Sequence, residues 1–141
     1  DERLRIMLDD AGIADMVELA PPIPYADALA EMVAVDGLLV LQASCCNNQI
    51  PAKAYEYLRA GRPLLALTDP AGDTADVIRR AGIDTLAPLD DSRAILTALI
   101  DFLQRIEQGN APLASRQAVT DASRRGRTAQ LARLLDQVSG C

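Results

Sequence analysis

The stretch Gln49-Ile50-Pro51-Ala52-Lys53-Ala54-Tyr55-Glu56-Tyr57-Leu58-Arg59-Ala60-Gly61-Arg62-Pro63-Leu64-Leu65-Ala66-Leu67 decides how this chain is read. It predicts a loop end, a helix over 51–60 and a buried strand from Leu64. Pro51 suits the first helical position, where a missing N–H costs nothing and φ is preset. Gly61 suits the left-handed position just past the helix. Arg62-Pro63 then forces extended backbone. A helix start presents unbonded N–H groups and partial positive charge, which favour anions. Lys53 stands in that first turn, and Glu56, three residues on, shares its face. A cation beside free amides suits a diphosphate, and a carboxylate one turn deeper suits the vicinal hydroxyls of a sugar. The spacing therefore predicts a site for a pyrophosphate-linked sugar.

Upstream, Gly37–Leu41 is a continuous apolar run, the pattern of a strand buried on both faces. The polar loop Gln42–Ile50 joins it to the helix. Downstream, Asp69-Pro70-Ala71-Gly72 is a turn, and Asp73 or Thr74 is a candidate cap for a helix running to Arg80. Leu4–Ala11 and Tyr25–Val35 read as helices, Met16–Ala20 and Thr85–Ala87 as short strands. The Pro21-Pro22-Ile23-Pro24 loop is too proline-rich for a helix or central strand. Asp91 or Ser92 opens an amphipathic helix with Ile95, Leu99, Phe102 and Ile106 at helical spacing, broken by Gly109-Asn110-Ala111-Pro112. A last helix over Arg127–Val138 carries Leu131, Leu134, Leu135 and Val138 on one stripe. Alternating strands and helices with short loops predict an α/β fold with a parallel sheet of about four strands flanked by helices. The domain occupies residues 1–112, followed by a helical tail over 113–141. Ligands of such sheets bind beyond the carboxyl ends of the strands. The loops Pro21–Tyr25, Gln42–Ile50 and Asp69–Gly72 are expected to meet there.

Composition narrows the function. The chain has 141 residues, enough for one buried core. Half are hydrophobic but only 3% aromatic, so the core is aliphatic. There is no Trp and one Phe, which argues against a platform for stacking nucleic-acid bases. There is no His, which excludes a His base, a His metal ligand or a Ser-His-Asp triad within the chain. A net charge of −6 argues against nonspecific nucleic-acid binding. The charge is uneven: residues 1–112 hold nine basic and eighteen acidic side chains, net −9, whereas residues 113–141 hold five Arg and two Asp, net +3. A solvated basic helix face explains this, as does a tail that docks on an acidic surface. Cys45 and Cys46 are adjacent, a spacing that pairs only with strain, and Cys141 stands alone. This usage fits a reducing cytoplasmic setting. No apolar run approaches the ~18 residues of a membrane span, and no signal peptide is visible.

The sequence also resembles a family. Val17-Glu18-Leu19-Ala20 before the proline-rich loop, Tyr25-Ala26-Asp27-Ala28-Leu29, Asp36-Gly37-Leu38-Leu39-Val40-Leu41, and the core Ile50-Pro51-Ala52-Lys53-Ala54-Tyr55-Glu56-Tyr57-Leu58-Arg59-Ala60-Gly61-Arg62-Pro63 together resemble the group 1 glycosyltransferases. The resemblance runs from about Leu4 to about Gln108 and lies in the C-terminal, donor-binding, Rossmann-like domain of the two-domain GT-B fold. The tail Ser123–Leu135 is similar to the closing helices of such proteins. The resemblance implies transfer of a sugar from a nucleoside-diphosphate sugar, with retention of configuration and with no cofactor or bound metal. The acceptor would be held by an N-terminal domain not present in this chain. Glu56 matches the second glutamate of the family's E-x7-E motif and would bind the ribose hydroxyls. Gln49, Ile50 and the following helix start would meet the diphosphate, and Lys53 would face the phosphates or the sugar. Ile23, Pro24 and Tyr25 would border the base. Asn48 stands where the motif has its first glutamate, and can still hydrogen-bond a sugar hydroxyl. The resemblance implies no catalytic side chain here. It places the intact protein in the cytoplasm, free or peripheral to a membrane. The family's sheet order would put two further strands beside Gly37–Leu41, so this chain alone is expected to show a gap or naked edge and to self-associate, exchange strands or be marginally stable. A non-catalytic Rossmann-like binding or assembly module is the alternative. A sugar-nucleotide epimerase would be expected to use a catalytic His, which this chain lacks.

Overall fold

A computed structural model describes residues 2–140. The chain divides into two compact units, the first ending at Ala30 and the second beginning at Glu31. The first unit holds helix α1 (Glu2–Asp10), a short 3-10 turn over Ala14–Met16 and the start of helix α2 (Tyr25–Ala34). The expected strand at Met16–Ala20 does not form. Val17 is extended, at φ −127° and ψ 115°, and Val17-Glu18-Leu19-Ala20 has the right alternation, but no strand among the described residues pairs with it. Extended backbone becomes a strand only when another backbone takes its hydrogen bonds.

The second unit is a three-stranded parallel sheet with helices on both faces. Strand β1 (Leu38–Leu41) is followed by a 3-10 turn (Ser44–Cys46) and helix α3 (Ala52–Ala60). Strand β2 (Leu64–Leu67), helix α4 (Asp73–Arg80), strand β3 (Leu86–Ala87) and helix α5 (Ser92–Glu107) come next, then α6 (Arg116–Ala122) and α7 (Arg124–Ser139). The sheet order is β1-β2-β3, with Leu38 opposite Leu64, Leu41 opposite Leu67 and Leu67 opposite Ala87. The sheet has no internal gap. Among the described residues three strands form rather than about four, and β1 is an edge.

The helix ends follow local chemistry. Helix α3 begins one residue later than expected: Pro51 is its N-cap, at φ −62° and ψ 138°, not its first helical residue. Gly61 closes it at φ 66°, a conformation that any Cβ would disfavour. Asp91 caps α5 by accepting hydrogen bonds from the amides of Arg93 (3.0 Å) and Ala94 (2.9 Å). The N-cap of α4 is Gly72 rather than Asp73 or Thr74. Thr74 is buried and uses its hydroxyl elsewhere.

The two sheet faces are filled unequally. Strand β2 is central and buried along its whole length. Leu58 and Ala54 of α3, with Ala75 and Ile78 of α4, are buried. Helix α5 packs on β2 and β3, where Phe102 joins Leu65, Leu67 and Ala87, with Ile95, Ala98 and Ile106 alongside. Gly37 permits that approach, because a Cβ there would lie 2.9 Å from Cζ of Phe102. Strand β1 is not buried on both faces as its apolar run suggested. Leu38 and Val40 are buried, but Leu39 is 48% and Leu41 59% exposed. Register puts Leu39 beside Leu65 and Leu41 beside Leu67, on the face that α5 covers only over β2 and β3. Continuous apolarity thus marks a central strand at β2 and an incompletely covered edge at β1.

The segment from 113 onward belongs to the second unit. Ser115 N–H donates to the Ala81 carbonyl at 2.9 Å, and α6 packs on α3. Arg127 stacks over the Tyr55 ring at 5.3 Å to its centroid and donates to the Tyr55 hydroxyl at 3.0 Å.

Candidate functional site

The candidate residues fall into two sets. Pro24 and Tyr25 are exposed in the first unit, where the Pro24 carbonyl accepts from the amides of Asp27 and Ala28 at the start of α2. Asn48, Gln49, Ile50, Lys53 and Glu56 lie in the second unit, on the loop after β1 and the first turns of α3.

Within the second unit, the loops that follow β1 and β2 do meet at the carboxyl end of the sheet. Their contact is polar and specific. Asn47 Nδ2 donates to Asp69 Oδ2 at 2.6 Å, and Asp73 N–H donates to the Asn47 carbonyl at 3.0 Å. Gln42, at the end of β1 and 8% exposed, turns inward. Its Nε2 donates to the carbonyls of Cys46 (2.6 Å) and Gln49 (2.5 Å), while its Oε1 accepts from the Thr74 hydroxyl at 2.8 Å. That hydroxyl also reaches the Gln49 carbonyl at 3.2 Å. One buried amide therefore fixes both ends of the loop leading to α3 and ties it to α4. A buried side-chain amide is stable only when its donors and acceptor are satisfied, and this one is.

On that fixed base, the α3 N-terminus has no side-chain cap. Lys53 Nζ lies 2.9 Å from Glu56 Oε2, with side-chain exposures of 55% and 32%. Glu56 thus pairs with the ammonium on its own helix, not with Arg59 or Arg62. Arg62 instead donates to the Val33 carbonyl through Nε (2.7 Å) and Nη2. Glu56 Oε2 is shielded from solvent and faces the Lys53 ammonium. Asn47 Oδ1 is also shielded and is unsatisfied. Asn48 is exposed, and Gln49 contributes its backbone more than its side chain.

Gln42 and Asn47 were not singled out by sequence reasoning, and Thr74 was read only as a candidate cap. The signal was a glutamine closing an apolar strand run, where a polar side chain must find partners for its amide. Asp69 was expected to make a turn, and does: its Oδ1 accepts from Ala71 N–H at 2.8 Å and its carbonyl from Gly72 N–H at 3.0 Å. The Ala71 amide first, and the Asn47 amide second, hold the Asp69 carboxyl below the usual aspartate range near about 3.9. A depressed folded value stabilises the fold above the unfolded pKa, and that contribution disappears as pH falls through the folded value. An NMR titration of the carboxyl carbons is therefore expected to show Asp69 titrating below the exposed aspartates, with the Asn47 side-chain amide signal shifting in step. Asn47→Ala should move the Asp69 midpoint upward; an unmoved midpoint would refute the Asn47 contribution.

The cysteines carry no nucleophile signature. Cys45 and Cys46 are free thiols, with their sulfurs 3.7 Å apart. The neighbouring thiol pushes Cys46 above its ordinary value, opposite to what thiolate chemistry needs. Cys141 lies outside the described residues. Among those residues, no helix is long and apolar enough to cross a membrane. Set against family models, curated proteins and solved structures, the chain matches none.

Proposed function

We propose that this chain is the donor-binding part of a glycosyltransferase, with its parallel α/β layer serving as a Rossmann-like nucleotide-sugar domain. The observation that carries the reading is the Lys53–Glu56 pair on the first turns of an uncapped helix, beyond the carboxyl end of β1. The diphosphate would lie against the opening amides of α3 and the Lys53 ammonium, and Glu56 would accept hydrogen bonds from the ribose. Negative charge grows on the leaving diphosphate as the glycosidic bond breaks, so a nearby cation and fixed amide dipoles lower that barrier. The acceptor would come from a separate domain, and the intact protein would work in the cytoplasm or at a membrane surface. Donor binding would draw Lys53 from Glu56 toward phosphate and free the carboxylate for the ribose.

Isothermal titration of the chain with UDP and GDP tests this. One of them is expected to bind, and Glu56→Ala to weaken it about 10-fold or more, since a hydrogen bond to a charged group contributes roughly 1.5–3 kcal/mol. Circular dichroism of the variant should match the parent. No binding of either nucleotide, or binding indifferent to Glu56→Ala, would overturn the donor assignment. It would favour the non-catalytic assembly module, to which Asn48 in place of the motif's first glutamate points.

A further inference from the structure

Cys45 and Cys46 close the 3-10 turn Ser44–Cys46, between the end of β1 and the start of α3. Both are free thiols, Cys45 exposed and Cys46 partly so, with their sulfurs 3.7 Å apart. Successive side chains on a 3-10 turn diverge by about 120°, so this contact comes from how the two thiols are turned and not from adjacency alone. No third His, Cys, Asp or Glu joins them in a metal-binding group among the described residues. The chemistry open to the pair is therefore sulfur with sulfur.

The Cys46 backbone is also the hub of its loop. Its carbonyl accepts from Gln42 Nε2 at 2.6 Å and from Gln49 N–H at 2.9 Å, and its N–H donates to the Ala43 carbonyl at 3.0 Å. Asn47, the next residue, donates to Asp69 at 2.6 Å. A bond between neighbouring cysteines closes a small ring through their shared peptide, and forming it requires that peptide and both side chains to turn. The thiol pair and the anchored loop thus belong to one backbone geometry, and a closed ring belongs to another.

We propose that Cys45 and Cys46 are a reversible oxidation site, which exchanges with a low-molecular-weight disulfide such as oxidised glutathione to form a vicinal disulfide that releases the loop before α3. Cys45 attacks first, because it is exposed and because the neighbouring thiol keeps Cys46 protonated. Cys45 loses its proton to water and, as thiolate, displaces one glutathione thiolate, leaving a mixed disulfide. Cys46 gives its proton to that released thiolate, and its sulfur displaces the second glutathione from Cys45. The second glutathione takes back from water the proton that Cys45 lost. Two cysteine thiols become one disulfide, two electrons pass to the oxidant, and two molecules of reduced glutathione leave. Strain in the small ring makes the product easy to reduce, which is the property of a regulatory disulfide and not of a structural one. The coupling is reciprocal: the loop bonds oppose the disulfide by as much as the disulfide opposes the loop bonds. The exchange needs no nucleotide, so it stands or falls independently of the donor reading.

Equilibration of the full chain carrying Cys141→Ser, which removes the third thiol, with mixtures of oxidised and reduced glutathione tests this, read by intact mass and peptide mapping. The chain is expected to lose two hydrogens in the peptide that holds Cys45 and Cys46, and to regain them in excess reduced glutathione. Adding Cys46→Ser should instead trap glutathione on Cys45. In the oxidised chain, amide exchange should accelerate over residues 43–50 while β2 stays protected. Gln42→Leu removes one of the two bonds to the Cys46 carbonyl and should shift the glutathione equilibrium about 10-fold toward the disulfide. Thr74→Val leaves that bond in place and should shift it in the same direction by less, with circular dichroism matching the parent. A chain that stays reduced, or that accumulates only the mixed disulfide, overturns the proposal. So does an oxidised chain whose loop exchanges as slowly as the reduced one, or an equilibrium that neither variant moves.

Discussion

Leu58→Ala is expected to lower the unfolding free energy by about 2–5 kcal/mol, a large fraction of the roughly 5–15 kcal/mol that holds a domain together. Leu58 is 2% exposed and Ala54, on the same side of α3, is fully buried. Those two residues are the buried positions of the helix, so truncating the larger removes most of what seats it. The hole has little to collapse around it, because Ala54, Ala66 and Ala75 are already small and fully enclosed. A urea titration should show a lower midpoint with an unchanged slope. The exposed neighbour Arg59, changed to alanine, should stay within about 0.5 kcal/mol of the parent. An equally mild Leu58→Ala would mean that α3 is not seated through this side chain. The same variant would loosen Lys53 and Glu56, whose positions relative to the loop depend on that seat.

Gln42→Leu is expected to cost about 2–4 kcal/mol, since it strands the carbonyls of Cys46 and Gln49 and leaves the Thr74 hydroxyl only its longer bond. The substitution keeps the size of the buried side chain nearly constant, so the loss reports hydrogen bonds rather than volume. Amide exchange should accelerate over residues 43–50 while β2 stays protected. Thr74→Val should cost less, because it removes one hydroxyl and leaves the two Gln42 donor bonds in place. The double variant should be milder than the sum of the two, the mark of residues in one network. Additive costs would show that the two side chains act separately, and a neutral Gln42→Leu would remove the loop anchor on which the site geometry depends.

Much of the second unit was legible along the chain. Gly61 with Arg62-Pro63 announced the end of α3 and the start of β2, because positive φ and a proline-restricted residue leave few alternatives. Asp91 and the spacing of Ile95, Leu99, Phe102 and Ile106 announced α5, its cap and most of its core face, although Leu99 is 39% exposed and lies outside the core. Local rules failed where the answer depended on neighbours. Val17-Glu18-Leu19-Ala20 has strand alternation without a strand to bond to. Leu38-Leu39-Val40-Leu41 reads like Leu64-Leu65-Ala66-Leu67, yet only the second is buried on both faces. Helix α6 lies in the tail expected to be helical, but its weak apolar pattern gave no bounds; its place comes from Ser115 reaching Ala81 and from packing on α3. Of the site, Lys53 and Glu56 were readable from their spacing, because residues three apart on a helix share a face.

By itself, the order of residues determined most element types of the second unit, the stop of α3, the parallel α/β class and the shared face of Lys53 and Glu56. These depend on backbone geometry within a few residues. The tertiary structure decided which strand is an edge, which leucines remain uncovered, and that Gln42 and Thr74 hold the loop before α3. Those outcomes depend on hydrogen bonds and packing between residues far apart in sequence, and no local pattern encodes which partner is within reach.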